Sequence, residues 1–167
     1  FNLFVVERYI ELGADWIGYP EDLGMQVGPM LSPEQFRRYI QPVYQRLMRP
    51  AREAGCIVHM HSDGDIRQLA ADLVDLGVRV INLQDLVNGI DWIQEHLKGR
   101  ICIDLDIDRQ KITRFGAPAE IEALIREEVE ELGARQEPAL LGAPRPAVAR
   151  IERQRRPVDD LHVLRRA

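Results

Sequence analysis

Residues 56–64 have the sequence CIVHMHSDG, in which apolar and polar side chains largely alternate, and they indicate the type of fold. An extended chain points successive side chains to opposite faces, so His59 and His61 share one face and Asp63 follows at the end of the strand. Residues 65–76 then carry apolar side chains at helical spacing, and a glycine ends the pattern. A strand that turns polar at its carboxyl end and leads into a helix predicts a β–α unit with polar chemistry at that end.

The same alternation of strands and helices extends to both sides of this unit. Strands are predicted at residues 15–19, 78–83 and 101–107, and helices at residues 1–12, 32–54, 90–97 and 119–132. Pro42 is expected to kink the second of these helices, because proline lacks a backbone donor and clashes with the preceding turn. Strands separated by helices imply parallel pairing with right-handed crossovers. An open doubly wound sheet and part of a (β/α)8 barrel both fit this order.

The position of the polar side chains favours the barrel. Asn82 and Gln84 end one predicted strand on a shared face, and Asp104 and Asp106 end the next in the same way. Polar residues confined to the carboxyl ends of inward faces are typical of barrel enzymes, whose sites are built there. No GxGxxG or GxxxxGK[ST] motif occurs, which disfavours the nucleotide-binding sheets. We expect an α/β fold of about four β–α units with parallel strands, a partial (β/α)8 TIM barrel.

The densest chemical motif is His59-Met60-His61-Ser62-Asp63-Gly64. Two imidazoles on one face together with a carboxylate can hold a divalent cation such as zinc. Of these residues, His61 and Asp63 are the candidate metal ligands. The structural alternative is that His59 forms a hydrogen bond inside the barrel and Asp63 caps the next helix. Asp22 lies in a glycine-containing loop after the first strand, where it either contacts a ligand or is simply solvated.

Amides and carboxylates at the later strand ends are candidate substrate contacts. Asn82 and Gln84 offer directed hydrogen bonds to a polar or carboxylate-bearing substrate. Asp104 and Asp106 alternate with Asp108, and crowded carboxylates raise one another's pKa, which suits an acid role. The alternative for this aspartate run is a salt link to Arg109 together with a helix cap.

Composition and charge restrict the class of partner. The chain has 167 residues, of which 46% are hydrophobic, and a formal net charge of -5. A mildly acidic chain gives no electrostatic footprint for nucleic acid or for an anionic membrane, and no apolar run has the roughly 20 residues of a membrane helix. Two cysteines do not make a disulfide framework, so we expect a reducing, cytoplasmic location. The partner expected for such a domain is a small-molecule substrate.

The organisation of the chain changes near residue 133. Residues 1–133 carry the periodic pattern of one domain, the partial barrel. Residues 134–167 are rich in arginine, proline and alanine and show no helical or strand period. We expect an irregular tail there, and an abrupt loss of pattern also fits a shift of reading frame.

Several of these segments together resemble the uroporphyrinogen decarboxylase superfamily. The segments are GADWIGYPEDLGMQVGPMLSPEQFRRYIQPVYQRL (13–47), AGCIVHMHSDGDI (54–66), GVRVINLQ (77–84), KGRICIDLDID (98–108) and FGAPAEIEALI (115–125). The family is a (β/α)8 barrel with its active site at the carboxyl ends of the strands. It includes decarboxylases of porphyrin biosynthesis, which remove acetate carboxylates from a tetrapyrrole without a cofactor. It also includes zinc-dependent methyltransferases that act on corrinoid proteins or thiols.

The resemblance implies that this chain is the C-terminal half of such a barrel. His61 matches the strand-end histidine of the family, and Asp63 stands where the methyltransferases have the cysteine of a His-x-Cys-Gly motif. The decarboxylases' catalytic aspartate would lie in the other half, so this chain alone is expected to be inactive. The resemblance assigns catalysis to His61 and Asp106.

Three functions remain open at this point. The first is a uroporphyrinogen decarboxylase-type carboxy-lyase without a cofactor, in which four residues contact the substrate: Asp22, Asn82, Gln84 and Asp104. The second is a zinc-dependent methyltransferase with His61 and Asp63 as ligands. The third is a non-catalytic half-barrel that forms a homodimer through its open edges, because unpaired strand edges promote association.

Overall fold

Four parallel strands form the main sheet. In a computed structural model of the protein, which describes residues 1–133, the strands are β1 (Trp16–Glu21), β2 (Gly24–Met25), β3 (Gly28–Pro29), β4 (Ile57–Ser62), β5 (Val80–Gln84) and β6 (Cys102–Asp106). The spatial order is β1-β4-β5-β6, and every pairing in this sheet is parallel. β2 and β3 form a short antiparallel hairpin directly after β1. The α/β fold with parallel strands of a partial barrel is therefore confirmed.

Helices alternate with the strands of the main sheet. They are α1 (Asn2–Glu11), α2 (Pro33–Gln35), a π-helical turn (Phe36–Ile40), α3 (Gln41–Glu53), α4 (Ala70–Asp75), α5 (Asp85–Asn88), α6 (Ile90–Leu97), α7 (Ile112–Phe115) and α8 (Pro118–Leu132). Within residues 1–133, none of these helices has both the length and the apolar character needed to cross a bilayer. The prediction of an irregular tail falls on residues 134–167, outside the described part of the chain.

The core lies between one face of the main sheet and the helices. Val58 and Met60 of β4 and Ile81 and Leu83 of β5 are fully buried on this face. Full burial of one such side chain stabilises the fold by about 1.5–3 kcal/mol relative to leaving it exposed. The opposite face carries the partly exposed His59 and the polar strand ends, so the predicted division of the two faces is confirmed. Because one face of the sheet packs against the helices, the opposite face can carry the polar site residues.

Where the sequence predicts a kink at Pro42, the structure has a π-helical turn directly before the proline. Ser32 begins the helix as predicted, and its Oγ accepts a hydrogen bond from the N–H of Gln35 at 3.2 Å. The backbone N–H of Gln41 then bonds five residues back, to the carbonyl of Phe36. Pro42 follows near the N-terminus of α3, where its missing donor costs little. The wider turn thus absorbs the disturbance that proline would cause in an α-helix.

The helix after β4 begins later than the sequence pattern predicts. Helical periodicity starts at residue 65, but α4 starts at Ala70. The carboxylate of Asp65 accepts hydrogen bonds from the backbone and the guanidinium of Arg67, which lower its pKa. This local side-chain bonding favours a turn over a helix. Asp65 also bridges to Met25 of the hairpin, and the whole connection is therefore tied to the loop after β1.

Candidate functional site

Register brings the predicted site residues to one level of the sheet. Pro20, His61, Asn82 and Asp104 are successive partners across β1, β4, β5 and β6. Because parallel strands end at the same edge, residues from separate β–α units meet there. The edge formed by the carboxyl ends of the four strands is called the rim below.

His61 is held in one orientation by Asn82. The side-chain nitrogen of Asn82 donates to the Asp104 carbonyl at 2.9 Å and to Oδ1 of Asp106 at 3.3 Å. This fixes the amide, so its oxygen faces Nδ1 of His61, with which it forms a short hydrogen bond. An amide oxygen only accepts, so Nδ1 carries the proton. The other ring nitrogen, Nε2, is left with its lone pair toward the rim, as a metal ligand or a proton carrier requires.

Two carboxylates face this free nitrogen. His61 Nε2 lies 3.9 Å from Oδ1 of Asp22 and 3.6 Å from Oδ1 of Asp63. The donor atoms of all three residues lie within 4.8 Å of one another. Around a tetrahedral zinc with bonds of about 2.0–2.2 Å, donor atoms are about 3.3–3.6 Å apart. His61, Asp22 and Asp63, called the rim triad below, are therefore close enough together to be candidate ligands of one zinc ion.

A close backbone contact places the two carboxylates. Gly24, two residues after Asp22, packs directly against Gly64, the residue after Asp63, and donates its N–H to the carbonyl of Asp63 at 3.2 Å. A Cβ built on Gly24 would lie 2.6 Å from the backbone nitrogen of Asp65. Gly64 also has a φ of +78°, which an L side chain rarely adopts. Glycine at both positions lets the loops after β1 and β4 meet and brings the rim triad together.

Arg109 is the site residue that sequence reasoning placed only as a structural partner. Its Nη2 donates to Oδ1 of Asp63 at 2.6 Å and lies 3.6 Å from Oδ2 of Asp106. Asp63 therefore does not cap the helix that follows β4, as the structural alternative supposed. The signal available in the sequence was an arginine in the loop after β6, one residue beyond the aspartate run. The salt link to Arg109 is confirmed, and it adds a cation to a rim of carboxylates.

Asp108 serves as the helix cap proposed for the aspartate run. Its carboxylate accepts hydrogen bonds from the backbone of Ile112, Gln110 and Lys111, and these bonds lower its pKa. Its own N–H is held by Oδ2 of Asp85 at 2.9 Å. Asp108 is thus committed to the start of α7 and is not free for substrate.

The remaining predicted residues take supporting positions. Gln84 accepts a hydrogen bond from the N–H of Gly64 at 3.0 Å and so holds the loop that carries Asp63. The carboxylate of Asp104 points one level below the rim triad, where its Oδ2 lies 3.4 Å from Nε2 of His59. His59 also packs against the ring of Trp16, with ring centroids 5.0 Å apart. Asp104 contacts Asn82 through its backbone carbonyl and not through its carboxylate.

A small polar cavity lies between the end of β5 and the loop after β6. Its volume is about 280 Å³, and the lining includes Gln26, Gln84, Asp106, Arg109 and Lys111. Its two cations, Arg109 and Lys111, are accompanied by three carboxylates, Asp85, Asp106 and Asp108, so the cavity suits a polar group without a preference for an anion.

Comparison with known proteins places the chain at the level of a family. The family model for uroporphyrinogen decarboxylase (URO-D) matches residues 2–138. Comparisons with curated proteins and with solved structures find no match. The family match spans most of the chain and includes every strand of the main sheet, the rim triad and Arg109. The chain therefore belongs to the uroporphyrinogen decarboxylase (URO-D) family.

Proposed function

We propose that the chain is part of a URO-D-type carboxy-lyase that removes a carboxylate from a polyanionic substrate of the tetrapyrrole type. The observation that carries the proposal is His61, whose Nδ1 is fixed by Asn82 while Nε2 faces the rim. A decarboxylation needs a group that binds the carboxylate and a group that delivers a proton to the carbon it leaves. Arg109 and His61, which both approach Oδ1 of Asp63, would supply these two groups.

The chemistry follows from these positions. Arg109 exchanges Asp63 for a substrate carboxylate, which a guanidinium binds through two parallel hydrogen bonds. The C–C bond then breaks, CO₂ leaves, and the electron pair stays on the carbon, delocalised into a protonated ring of the substrate. Protonated His61 gives its Nε2 proton to that carbon, the ring releases its extra proton to solvent, and His61 regains a proton from solvent. Asp22 and Asp63 stabilise the imidazolium before the transfer, and Asp106 keeps Asn82 oriented.

Ligand binding tests this proposal without requiring turnover by a partial barrel. Uroporphyrin, an octacarboxylate analogue of the substrate, is titrated into the full chain and into the Arg109→Ala and His61→Ala variants. We expect saturable binding that weakens at least ten-fold in Arg109→Ala, because the carboxylate partner is lost, and less in His61→Ala. Arg126→Ala on the far surface of α8 is the matched control, since it removes an equal charge. Absence of binding, or equal binding by all four proteins, would contradict the proposal.

A second candidate function is zinc-dependent methyl transfer to a thiol. The observation in its favour is the rim triad, whose three donor atoms are close enough together to be candidate ligands of one zinc ion. Bound zinc would act as a Lewis acid that holds the acceptor thiol as a thiolate at neutral pH. His61 would supply the nitrogen ligand, Asn82 would fix its tautomer, and Asp22 and Asp63 would balance the charge.

Metal content distinguishes the two functions. Purified chain is dialysed against zinc and then against metal-free buffer, and the retained metal is measured by mass spectrometry. The methyltransferase proposal expects one zinc per chain, lost in His61→Ala and kept in His96→Ala, whose histidine lies on the exposed surface of α6. Zinc retained equally by the His61→Ala variant would contradict the methyltransferase proposal.

A further inference from the structure

The strongest cation contact at the rim comes from Arg109. Its guanidinium nitrogen lies 2.6 Å from Oδ1 of Asp63, the same oxygen that lies 3.6 Å from Nε2 of His61. The same Asp63 oxygen thus accepts the hydrogen bond from Arg109 and is a candidate metal ligand of the rim triad. A zinc ion bound to His61 and Asp63 would sit beside the guanidinium, and two cations this close repel each other.

The loop that carries Arg109 is fixed from both sides, so this contact is built into the fold. Asp108 caps α7 through three backbone N–H groups, and its own N–H is held by the buried Asp85. Oδ2 of Asp106 lies 3.6 Å from the guanidinium on its other side. Arg109 is therefore presented to Asp63 by ordered backbone, while about half of its side chain stays exposed and able to swing away.

We propose that Arg109 gates the rim triad, so that its guanidinium and a divalent cation compete for Asp63. While Arg109 is bonded to Asp63, only His61 and Asp22 of the rim triad can donate fully to a metal ion. When Arg109 leaves Asp63, all three donors become available and the local positive charge falls. An anionic ligand that draws Arg109 to itself therefore opens the triad to a cation. This inference rests on the second proposed function, because it presumes that the triad binds zinc.

Zinc affinity measured by competition with a fluorescent chelator tests the gate. The full chain is compared with Arg109→Ala and with Arg109→Gln, which keeps a polar side chain of similar reach should the alanine disturb the loop. Arg126→Ala is the control for the loss of one positive charge, since its arginine pairs with Glu122 on the surface of α8. Thermal melts of every variant show whether the fold is kept.

The expected result is zinc binding at least ten-fold tighter in both Arg109 variants, unchanged in Arg126→Ala, and lost in His61→Ala. Equal affinity of the Arg109 variants and the unaltered chain, with His61→Ala still deficient, would overturn the gate and leave the metal site standing. Absence of zinc binding in the unaltered chain and in both Arg109 variants would overturn the gate together with the methyltransferase function. The carboxy-lyase proposal would survive that outcome, because it rests on uroporphyrin binding.

Discussion

At the scale of single residues, Gly64 illustrates how backbone shape determines the site. It has a positive φ and also packs against the backbone of Gly24, so a side chain there meets two separate obstacles. The contact is what holds the loops of Asp22 and Asp63 together. The positions of the Asp22 and Asp63 carboxylates thus depend on glycine, which lacks a Cβ atom, at both residue 24 and residue 64.

Replacement of Gly64 by alanine is expected to lower the free energy of unfolding by about 2–4 kcal/mol, the sum of left-handed strain and a backbone clash. Gly13→Ala is the matched control. Gly13 has a similar φ of +85°, but no atom lies within 4 Å of the place that a Cβ would take, so the variant should lose only the strain energy, about 1 kcal/mol. Urea unfolding midpoints measure both effects. Equal losses in the two variants would show that the Gly24–Gly64 contact does not matter.

At the scale of the elements, α8 is joined to the loop before α7 through a buried pair of carboxyls. Glu128 of α8 hydrogen-bonds to Asp85, and burial together with that neighbour raises the pKa of Glu128 to about 7. Asp85 in turn holds the backbone of Asp108. A protonated Glu128 donates to Asp85, whereas two ionised carboxylates would repel each other at this junction.

The pair makes stability depend on pH. The folded-state pKa of Glu128 is raised above its unfolded value, so the folded state binds more protons between about pH 4.5 and 7. Stability is therefore expected to fall as pH rises through this window. Melting temperatures from pH 5 to pH 8 should decline more steeply for the unaltered chain than for Glu128→Gln, whose amide imitates the protonated acid. Glu130→Gln, on the exposed side of α8, serves as the control and should keep the full slope.

How far the sequence predicts the site depends on whether a residue sits on a strand or on a loop. The meeting of His61 and Asn82 was predictable, because the side-chain period of a strand fixes the face and parallel register fixes the level. The position of Arg109 was not, since it depends on the path of a loop that Asp85 and Asp108 anchor from afar. The late start of α4 also escaped prediction, because the Asp65–Arg67 contact competes locally with helical periodicity.

At the scale of the whole molecule, the sheet has two edges. Within residues 1–133, β1 pairs only with β4, and β6 pairs only with β5. Each outer edge presents backbone donors and acceptors, and the inner face beside them exposes Trp16 and Asp104. Such edges favour pairing with a further strand, which a closed barrel supplies from its other half.

We propose that the chain, alone in solution, pairs through these edges with a second copy. The expected result is a dimer or larger species at micromolar concentration by light scattering, because unpaired parallel edges add strands readily. Dilution is the control, because the measured mass should then fall toward that of one chain. A substitution such as Ile103→Pro in β6 would be a poor control, because Ile103 also pairs with β5 inside the sheet. A monomer at every concentration would contradict this proposal.

Residues from separate β–α units converge to hold His61 with Nδ1 protonated and Nε2 free. Nitrogen-15 NMR of the histidine rings tests it most directly, with the His61 signal assigned by its loss in His61→Ala. We expect the Nδ1–H tautomer for neutral His61, and a loss of that preference in Asn82→Ala, where the accepting oxygen is gone. An Nε2–H tautomer in the unaltered chain, or one indifferent to Asn82, would contradict it.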